Sequence, residues 1–325
     1  MNVKNIFSPY SETEFNQHAL ALFQYQYENN DIYRSFCERL QINKNNISTI
    51  YQIPFLPISF FKTHDVKTGN FEPELEFWSS KTTGGERSRH LIKEVALYER
   101  SFLNGFEYFY GKPEEYCFLA LLPNYLEQKH SSLIYMMNRL ISGSKYKESG
   151  FYLNNFEELF EKIILLKEKK IPAILFGVSF ALLDFAEKFT FEFPDLLVFE
   201  TGGMKGRRAE IVKEELHNIL CNAFGVKEIH SEYGMCELLS QAYSKGKNLF
   251  APPPWMKLLL RDEKDPFCCN PTLSTGVINV IDFANVNSCA FIATDDLGKC
   301  ANNELIEILG RLDFAQIRGC NLLYV

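Results

Sequence analysis

Four short clusters carry the residues best suited to chemistry. The first, Ser79-Ser80-Lys81-Thr82-Thr83-Gly84-Gly85, gathers hydroxyls and glycines. Backbone N–H groups and Oγ atoms in such a loop can approach phosphate oxygens closely. The G-x-x-x-x-G-K-[ST] spacing of a P-loop is absent, and taken alone a flexible polar turn is the simpler reading. The second is His230-Ser231-Glu232-Tyr233-Gly234-Met235-Cys236-Glu237. A tyrosine ring there can stack on a base, and a terminal glutamate can hold Mg²⁺; alone, they read as a core tyrosine and a solvated glutamate. The third is Thr294-Asp295-Asp296-Leu297-Gly298, where a carboxylate either accepts both ribose hydroxyls or shapes an Asx-turn. The fourth is Gly310-Arg311-Leu312-Asp313, followed by Gln316-Ile317-Arg318-Gly319-Cys320. Singly it is a strand end and a polar hairpin.

In order and spacing the set resembles the adenylate-forming enzymes: acyl-CoA synthetases, luciferases and peptide-synthetase adenylation domains. Their phosphate loop T-S-G-T-T-G is matched by Ser79–Gly84, with Lys81 at the inner glycine. Their Y-G-x-T-E is matched by Tyr233–Glu237, with Cys236 in place of Thr. Thr294-Asp295-Asp296 matches T-G-D, Gly310–Asp313 matches G-R-x-D, and Gly202-Gly203 resembles the glycine pair along the adenine. Within that superfamily, Gln24–Arg34, Ile53–His64, Ser88-Arg89-His90 and Arg318-Gly319-Cys320-Asn321-Leu322 resemble the acyl-protein synthetase family, the LuxE type of bacterial fatty acid reductase complexes. The two N-terminal segments are the more specific part.

The resemblance implies ATP-dependent activation of a carboxylic, fatty acid to an acyl-adenylate, then acyl transfer to a thiol. Mg²⁺ offsets phosphate charge in such a reaction, and fixed donors steady the α-phosphate in transit. It implies phosphate contacts from Ser79, Thr82, Thr83 and Gly84, adenine contacts from Gly202, Gly203, Tyr233 and Gly234, a ribose contact from Asp296, a ribose or phosphate contact from Arg311, and Mg²⁺ on Glu237. Cys320 is the expected acyl acceptor, with Arg318 near enough to favour its thiolate; a buried strand cysteine is the competing reading. The superfamily's C-terminal lid, with its lysine, is expected to be absent, since the sequence stops at Val325. Arg87, Arg89, His90 and Lys205 are the candidates for the missing charge, of which Arg87 and His90 are retained as catalytic candidates. Two alternatives stand beside self-acylation: a lidless ligase delivering to coenzyme A or a carrier protein, and a non-catalytic subunit of a fatty acid reductase complex. Intact Glu237, Asp296 and Arg311 argue against the last. An acyl reductase is a further partner the resemblance implies.

The elements that must position these clusters follow from periodicity. Phe15, Ala19, Leu22, Phe23 and Tyr27 predict a helix within 13–40. Pro54 and Pro57 make residues 53–64 an extended segment. From about residue 116 strands and helices alternate: strand Tyr116–Leu122, a helix capped by Asn155 with Glu158, strand Ile171–Phe176, strand Leu196–Glu200, helix Ala209–Phe224, strand Lys227–His230. After Pro252-Pro253-Pro254, Val277–Ile281 and Ala290–Ala293 read as strands with no helix between. The expected fold is α/β: mainly parallel sheets covered by helices, residues 1–250, then a smaller β-rich subdomain, residues 251–325.

Composition agrees. The 325 residues are 46% hydrophobic and 23% charged, which excludes disorder and coiled coil. A net charge of −7 gives no reason to expect nucleic acid as partner. The apolar run Ile171–Leu183 is broken by Pro172, Gly177 and Ser179, so no membrane span is expected. Nine cysteines without a C-x-x-C pair, and no signal peptide, point to reduced thiols and a cytoplasmic protein.

Overall fold

A computed structural model describes residues 6–80, 86–123, 128–202, 211–301 and 305–312. Ser11 opens the first helix with a capping box: its Oγ accepts the Glu14 N–H and the Glu14 carboxylate accepts the Ser11 N–H. Helix α1, Glu12–Asn29, buries Phe15, Ala19, Leu22, Phe23 and Gln26. The single helix expected over 13–40 is broken at Asn30. Its carboxamide oxygen caps α2, Asp31–Arg39, and its Nδ2 donates to the Ser288 carbonyl at 2.9 Å. The proline segment is extended only through β1, Leu56–Pro57, and then closes into a helical turn, α3, Phe60–Thr63. A proline restricts itself and the residue before it, so nothing after Pro57 forbids that turn.

Strands β2, Leu75–Trp78, and β3, Arg89–Ile92, pair antiparallel with Phe77 opposite His90. The loop between them carries the first chemical cluster. Then come α4 (Val95–Tyr110), β4 (Cys117–Leu121), α5 (Ser132–Gly143), β5 (Gly150–Phe151), α6 (Phe156–Glu168), β6 (Ala173–Val178), α7 (Ser179–Lys188), β7 (Leu197–Thr201), α8 (Lys213–Phe224) and β8 (His230–Tyr233). Strands β5-β4-β6-β7-β8 lie parallel in that order. Every residue of β4 and β6 is buried, which suits strands covered by helices on both faces and explains their unbroken apolar sequences.

Six further strands follow: β9 (Ala242–Ser244), β10 (Leu249–Ala251), β11 (Met256–Arg261), β12 (Thr275–Asp282), β13 (Phe291–Cys300) and β14 (Ile306–Arg311). They continue the same sheet antiparallel, in the order β8-β9-β10-β14-β13-β12-β11, and β1 adds parallel to β13. Strand β10 spans the boundary expected after residue 250 and pairs with β9 on one side and β14 on the other. A 3₁₀ segment, Phe283–Asn287, fills the gap between β12 and β13 where no helix was expected, capped by Asp282.

Candidate active site

The carboxyl ends of β6, β7 and β8 share one edge of the parallel sheet, the edge at which α/β folds bind ligands. Ser179 follows β6 directly. Its hydroxyl donates to Glu200 Oε2 and to the Gly202 carbonyl, both at 3.1 Å. Gly202 leaves β7 with φ of +69°, a conformation that favours glycine. Gly203 and Lys205 lie outside the described residues.

Tyr233 ends β8. Its hydroxyl donates to Asp296 Oδ2 at 2.7 Å, and Arg311 Nε stands 3.5 Å from Asp296 Oδ1. Asp296 and Arg311 are cross-strand partners, so the third and fourth clusters meet through sheet register. Asp296 is therefore a strand residue within β13 and not the corner of an Asx-turn. Burial pushes its carboxyl up, while the Tyr233 hydrogen bond and the Arg311 charge oppose that. Burial, and then the Asp296 charge, push the Tyr233 phenol well above its ordinary value, so it remains a donor. The ring packs edge-on against Phe250 at 6.0 Å. Arg311 is 79% exposed, so most of its guanidinium is available to a ligand. A Cβ at Gly234 would lie 2.2 Å from Glu232 Oε1, so a side chain there would displace the Glu232 carboxylate.

Glu237 is buried in the turn that follows, and this turn is held from beneath. Asn285 Nδ2 donates to the Glu237 carbonyl at 2.8 Å, and its Oδ1 accepts the Leu239 N–H at 3.0 Å. Asp282 accepts the N–H of Leu239 and Ser240 and the Ser240 hydroxyl. The turn bearing Asn285 is gripped in turn by Gln26 of α1, whose Nε2 donates to the carbonyls of Asn285, Val286 and Ser288 and whose Oε1 accepts the Ala290 N–H. The N-terminal helices thus reach the site through a chain of buried amides. Asp282 and Asn285 stand out in the sequence only as polar residues inside an apolar run, and sequence reasoning missed both.

His90 belongs to the same frame. One ring nitrogen bonds the Cys236 carbonyl at 3.0 Å and the other Ser288 Oγ at 2.9 Å. Burial pushes its imidazole down to about 4, so at neutral pH it is uncharged. The positive charge sought from His90 is not there; its ring instead bridges the Cys236 carbonyl and the Ser288 hydroxyl. Ser79 closes the neck of the preceding loop, its Oγ accepting the Ser88 N–H at 2.9 Å and its N–H donating to the Ser88 carbonyl. Thr82, Thr83 and Gly84 lie outside the described residues. Arg87 is half-buried with its guanidinium 6.0 Å from the Trp78 ring centroid. Arg89 is spent on Asp65 and, at 3.9 Å, on Glu76.

Two buried glutamates behind Tyr233 were also missed. Burial alone would raise Glu200, but His217, Lys213 and Ser231 outweigh it and hold the carboxyl at about 2. Lys213 Nζ is 2.8 Å from Glu200 Oε1, and Ser231 Oγ donates to it at 2.6 Å. Glu232 points to the other face, accepting the Thr201 hydroxyl at 2.7 Å. Burial, with the Glu200 charge adding, pushes it up to about 7 against that hydrogen bond.

Burial raises the Glu237 carboxyl, while Ser88, Arg311 and Lys62 pull it back down. Among the described residues no group of three or more His, Cys, Asp or Glu side chains is arranged to hold a metal. A single carboxylate beside a phosphate-type loop fits Mg²⁺ that arrives on substrate phosphates and keeps several waters. Among the described residues no cysteine is joined to another described one. Cys236 is unsuited to nucleophilic attack because burial and Glu237 push its thiol well up. Cys320 and Arg318 lie outside the described residues. No described helix is long and apolar enough to cross a membrane.

Comparison with known proteins gives the family and the fold. The family model described as "Acyl-protein synthetase, LuxE" matches residues 8–324. The long-chain-fatty-acid–luciferin-component ligase of Vibrio harveyi is 24% identical over 325 residues, covering 92% of this chain and 84% of that protein. Among solved structures, ATP-bound MatB of Rhodopseudomonas palustris aligns with a TM-score of 0.52 at 17% identity, covering 74% of this chain and 49% of that one. The long-chain-fatty-acid-CoA ligase FadD1 of Archaeoglobus fulgidus gives 0.53 at 13% identity, over 76% and 53%. The chain spans about half the length of these solved structures, and the likeness to them is one of fold: the N-terminal domain of adenylate-forming enzymes.

Proposed function

This chain belongs to the acyl-protein synthetase LuxE family, and on that basis we propose that it activates a carboxylic acid with ATP and passes the acyl group to a thiol. A long-chain fatty acid is the substrate class, after the name of the Vibrio harveyi relative. The observation that carries the reading is the bonded chain Tyr233–Asp296–Arg311, with Glu237 on the turn after Tyr233. It joins three separate clusters of the sequence into one polar site beside an aromatic ring.

In the proposed reaction a substrate carboxylate oxygen attacks the α-phosphorus of ATP. The bond to the β-phosphate bridging oxygen breaks, pyrophosphate leaves, and an acyl-adenylate forms. A cysteine thiolate then attacks the acyl carbon and AMP departs with the bonding electrons. Tyr233, Gly234, Gly202 and Gly203 would border the adenine, and Asp296 would accept ribose hydroxyls. Arg311, Ser79, Thr82, Thr83 and Gly84 would face the phosphates. Glu237 would hold Mg²⁺, which supplies charge neutralisation on the phosphates when bound. Cys320, which follows Arg311 in the sequence, is the proposed acceptor.

The test is acid-dependent ATP–pyrophosphate exchange across a panel of carboxylic acids, with and without coenzyme A. Exchange with long-chain acids is expected, and Glu237→Gln is expected to lose most of it without loss of fold. Labelled acid with ATP should leave a hydroxylamine-sensitive label on the polypeptide that Cys320→Ser removes while adenylate formation persists. A label surviving in Cys320→Ser places the acceptor elsewhere, with Cys300 next. Turnover only with coenzyme A or a carrier protein would select the free-acceptor ligase. A folded protein without exchange for any acid would select the non-catalytic subunit.

A further inference from the structure

Adenylation brings the negative charge of a triphosphate up to two carboxyls, the buried Glu237 and the half-buried Asp296. Such a site needs positive charge that the protein has not already neutralised. Arg89 is paired with Asp65 and Glu76, and His90 is uncharged. Arg311 shares its charge with Asp296.

Lys62 differs. It is exposed, on the helical turn α3, and among the described residues no carboxylate lies within ion-pair distance of it. Two anchors fix that turn. On one side, β1 pairs with β13 at Leu56–Ile292 and Pro57–Ala293, and the Ile58 N–H donates to the Ala293 carbonyl at 2.9 Å. The turn therefore springs from the residue just before Thr294, the start of the cluster that carries Asp296. On the other side, buried Phe61 packs edge-on against His90 at 5.5 Å, and His90 holds the Cys236 carbonyl next to Glu237. His64 stacks on Phe60 at 5.1 Å and stiffens the end of the turn. The turn that carries Lys62 is thus anchored on one side to the strand that bears Asp296 and on the other, through His90, to the turn that bears Glu237. Its charge is one of the two, with Arg311, that lower the Glu237 carboxyl.

We propose that Lys62 is a catalytic residue of this site, a cation that contacts the phosphates of ATP and stabilises the charge that moves onto pyrophosphate as it leaves. The inference rests on the adenylation reading above. An ammonium on a flexible stem offers three rotatable donors and a compact charge, which suits a phosphate group that changes geometry in transit. It also gives the proline-bounded N-terminal segment a chemical purpose: β1 and Phe61 exist to hold one lysine over the phosphates.

The test compares Lys62→Met, Lys62→Arg and, as a control on the same segment, Lys67→Met, whose Nζ donates to the Phe71 carbonyl away from the site. Two readouts are needed: acid-dependent pyrophosphate exchange, and equilibrium dialysis of labelled ATP without Mg²⁺. Lys62→Met is expected to lower the exchange kcat by about 100-fold, the scale for losing one preorganised donor to developing charge. It should also weaken Mg²⁺-free ATP binding with the melting temperature unchanged, while Lys62→Arg recovers much of both and Lys67→Met changes neither. Lys62→Met with parental exchange and ATP binding overturns the proposal, as does an equal loss in Lys67→Met. If the parent binds ATP but exchanges with no acid, the adenylation reading fails alone, and the dialysis arm still decides whether Lys62 meets phosphate. A parent that does neither overturns both.

Discussion

Asn285→Ala is the sharpest probe of the frame beneath Glu237. The carboxamide makes three buried hydrogen bonds: to the carbonyls of Glu237 and Cys289 at 2.8 and 3.1 Å, and from the Leu239 N–H at 3.0 Å. Truncation leaves the Leu239 N–H with a second acceptor, Asp282 Oδ2 at 3.2 Å, so the groups that lose a partner are the two carbonyls. A buried polar group left unpaired costs about 1–3 kcal/mol, and carbonyls sit at the lower end. The expected loss is about 2–4 kcal/mol, or roughly 3–6 °C in melting temperature for a chain of this size. The functional consequence should exceed the stability loss, because the freed carbonyl belongs to the residue that carries the carboxylate. Pyrophosphate exchange measured against Mg²⁺ concentration should show a requirement raised at least tenfold. The control is Ile163→Ala on α6, fully buried and expected to cost a similar ~2–5 kcal/mol in a helix that does not contact the turn. If Ile163→Ala raises the Mg²⁺ requirement as much, or Asn285→Ala leaves it unchanged, the argument that the frame positions Glu237 is refuted.

The two buried glutamates should respond to pH in opposite directions. Glu232 titrates near 7 when folded and near 4.5 when unfolded, so the folded state binds the extra proton and this group's contribution to stability falls as pH rises from about 4.5 through 7. Glu232→Gln should therefore gain melting temperature over the parent at pH 8 and little at pH 5; a constant difference would contradict this. Glu200, held at about 2, contributes stability that is present above about 4.5 and lost as pH falls toward 2. Glu200→Gln should lower the melting temperature at pH 7 and converge on the parent in acid; urea titrations at both pH values check it. Tyr233→Phe removes one of the groups that hold the Asp296 carboxyl down, so the acid limb of the ATP KM profile should move to higher pH. An unmoved limb would detach the phenol from the ribose side of the site.

What the sequence disclosed and what it concealed divide along physical lines. Parallel strands such as β4 and β6 announce themselves because burial on both faces demands unbroken apolar residues. The end of β8 did not: a strand expected at 227–230 is found at His230–Tyr233, since Ser231 and Glu232 are polar yet buried. Their polarity is satisfied by Glu200 and Thr201 on the neighbouring strand, a partnership with no local signature. The same holds for Asn30, read within one helix but ending α1 and capping α2 while tied to Ser288, 258 residues away.

The site shows the division most clearly. Tyr233, Asp296 and Arg311 were legible because a short motif preserves residue types around a fixed chemical need. The residues that hold Glu237 were not, because their work is done by amides and carbonyls whose partners are set only by tertiary register. Gln26 illustrates this. In sequence it is one polar residue on the apolar face of an amphipathic helix, where it would weaken packing. In the fold it satisfies three carbonyls and one N–H of the turn that supports the Glu237 backbone. A buried amide with a full set of partners rigidifies what it touches. The N-terminal segments thus have a physical task. Helix α1 braces the backbone of Glu237 through Asn285, and α3 packs Phe61 against His90, which holds the neighbouring Cys236 carbonyl.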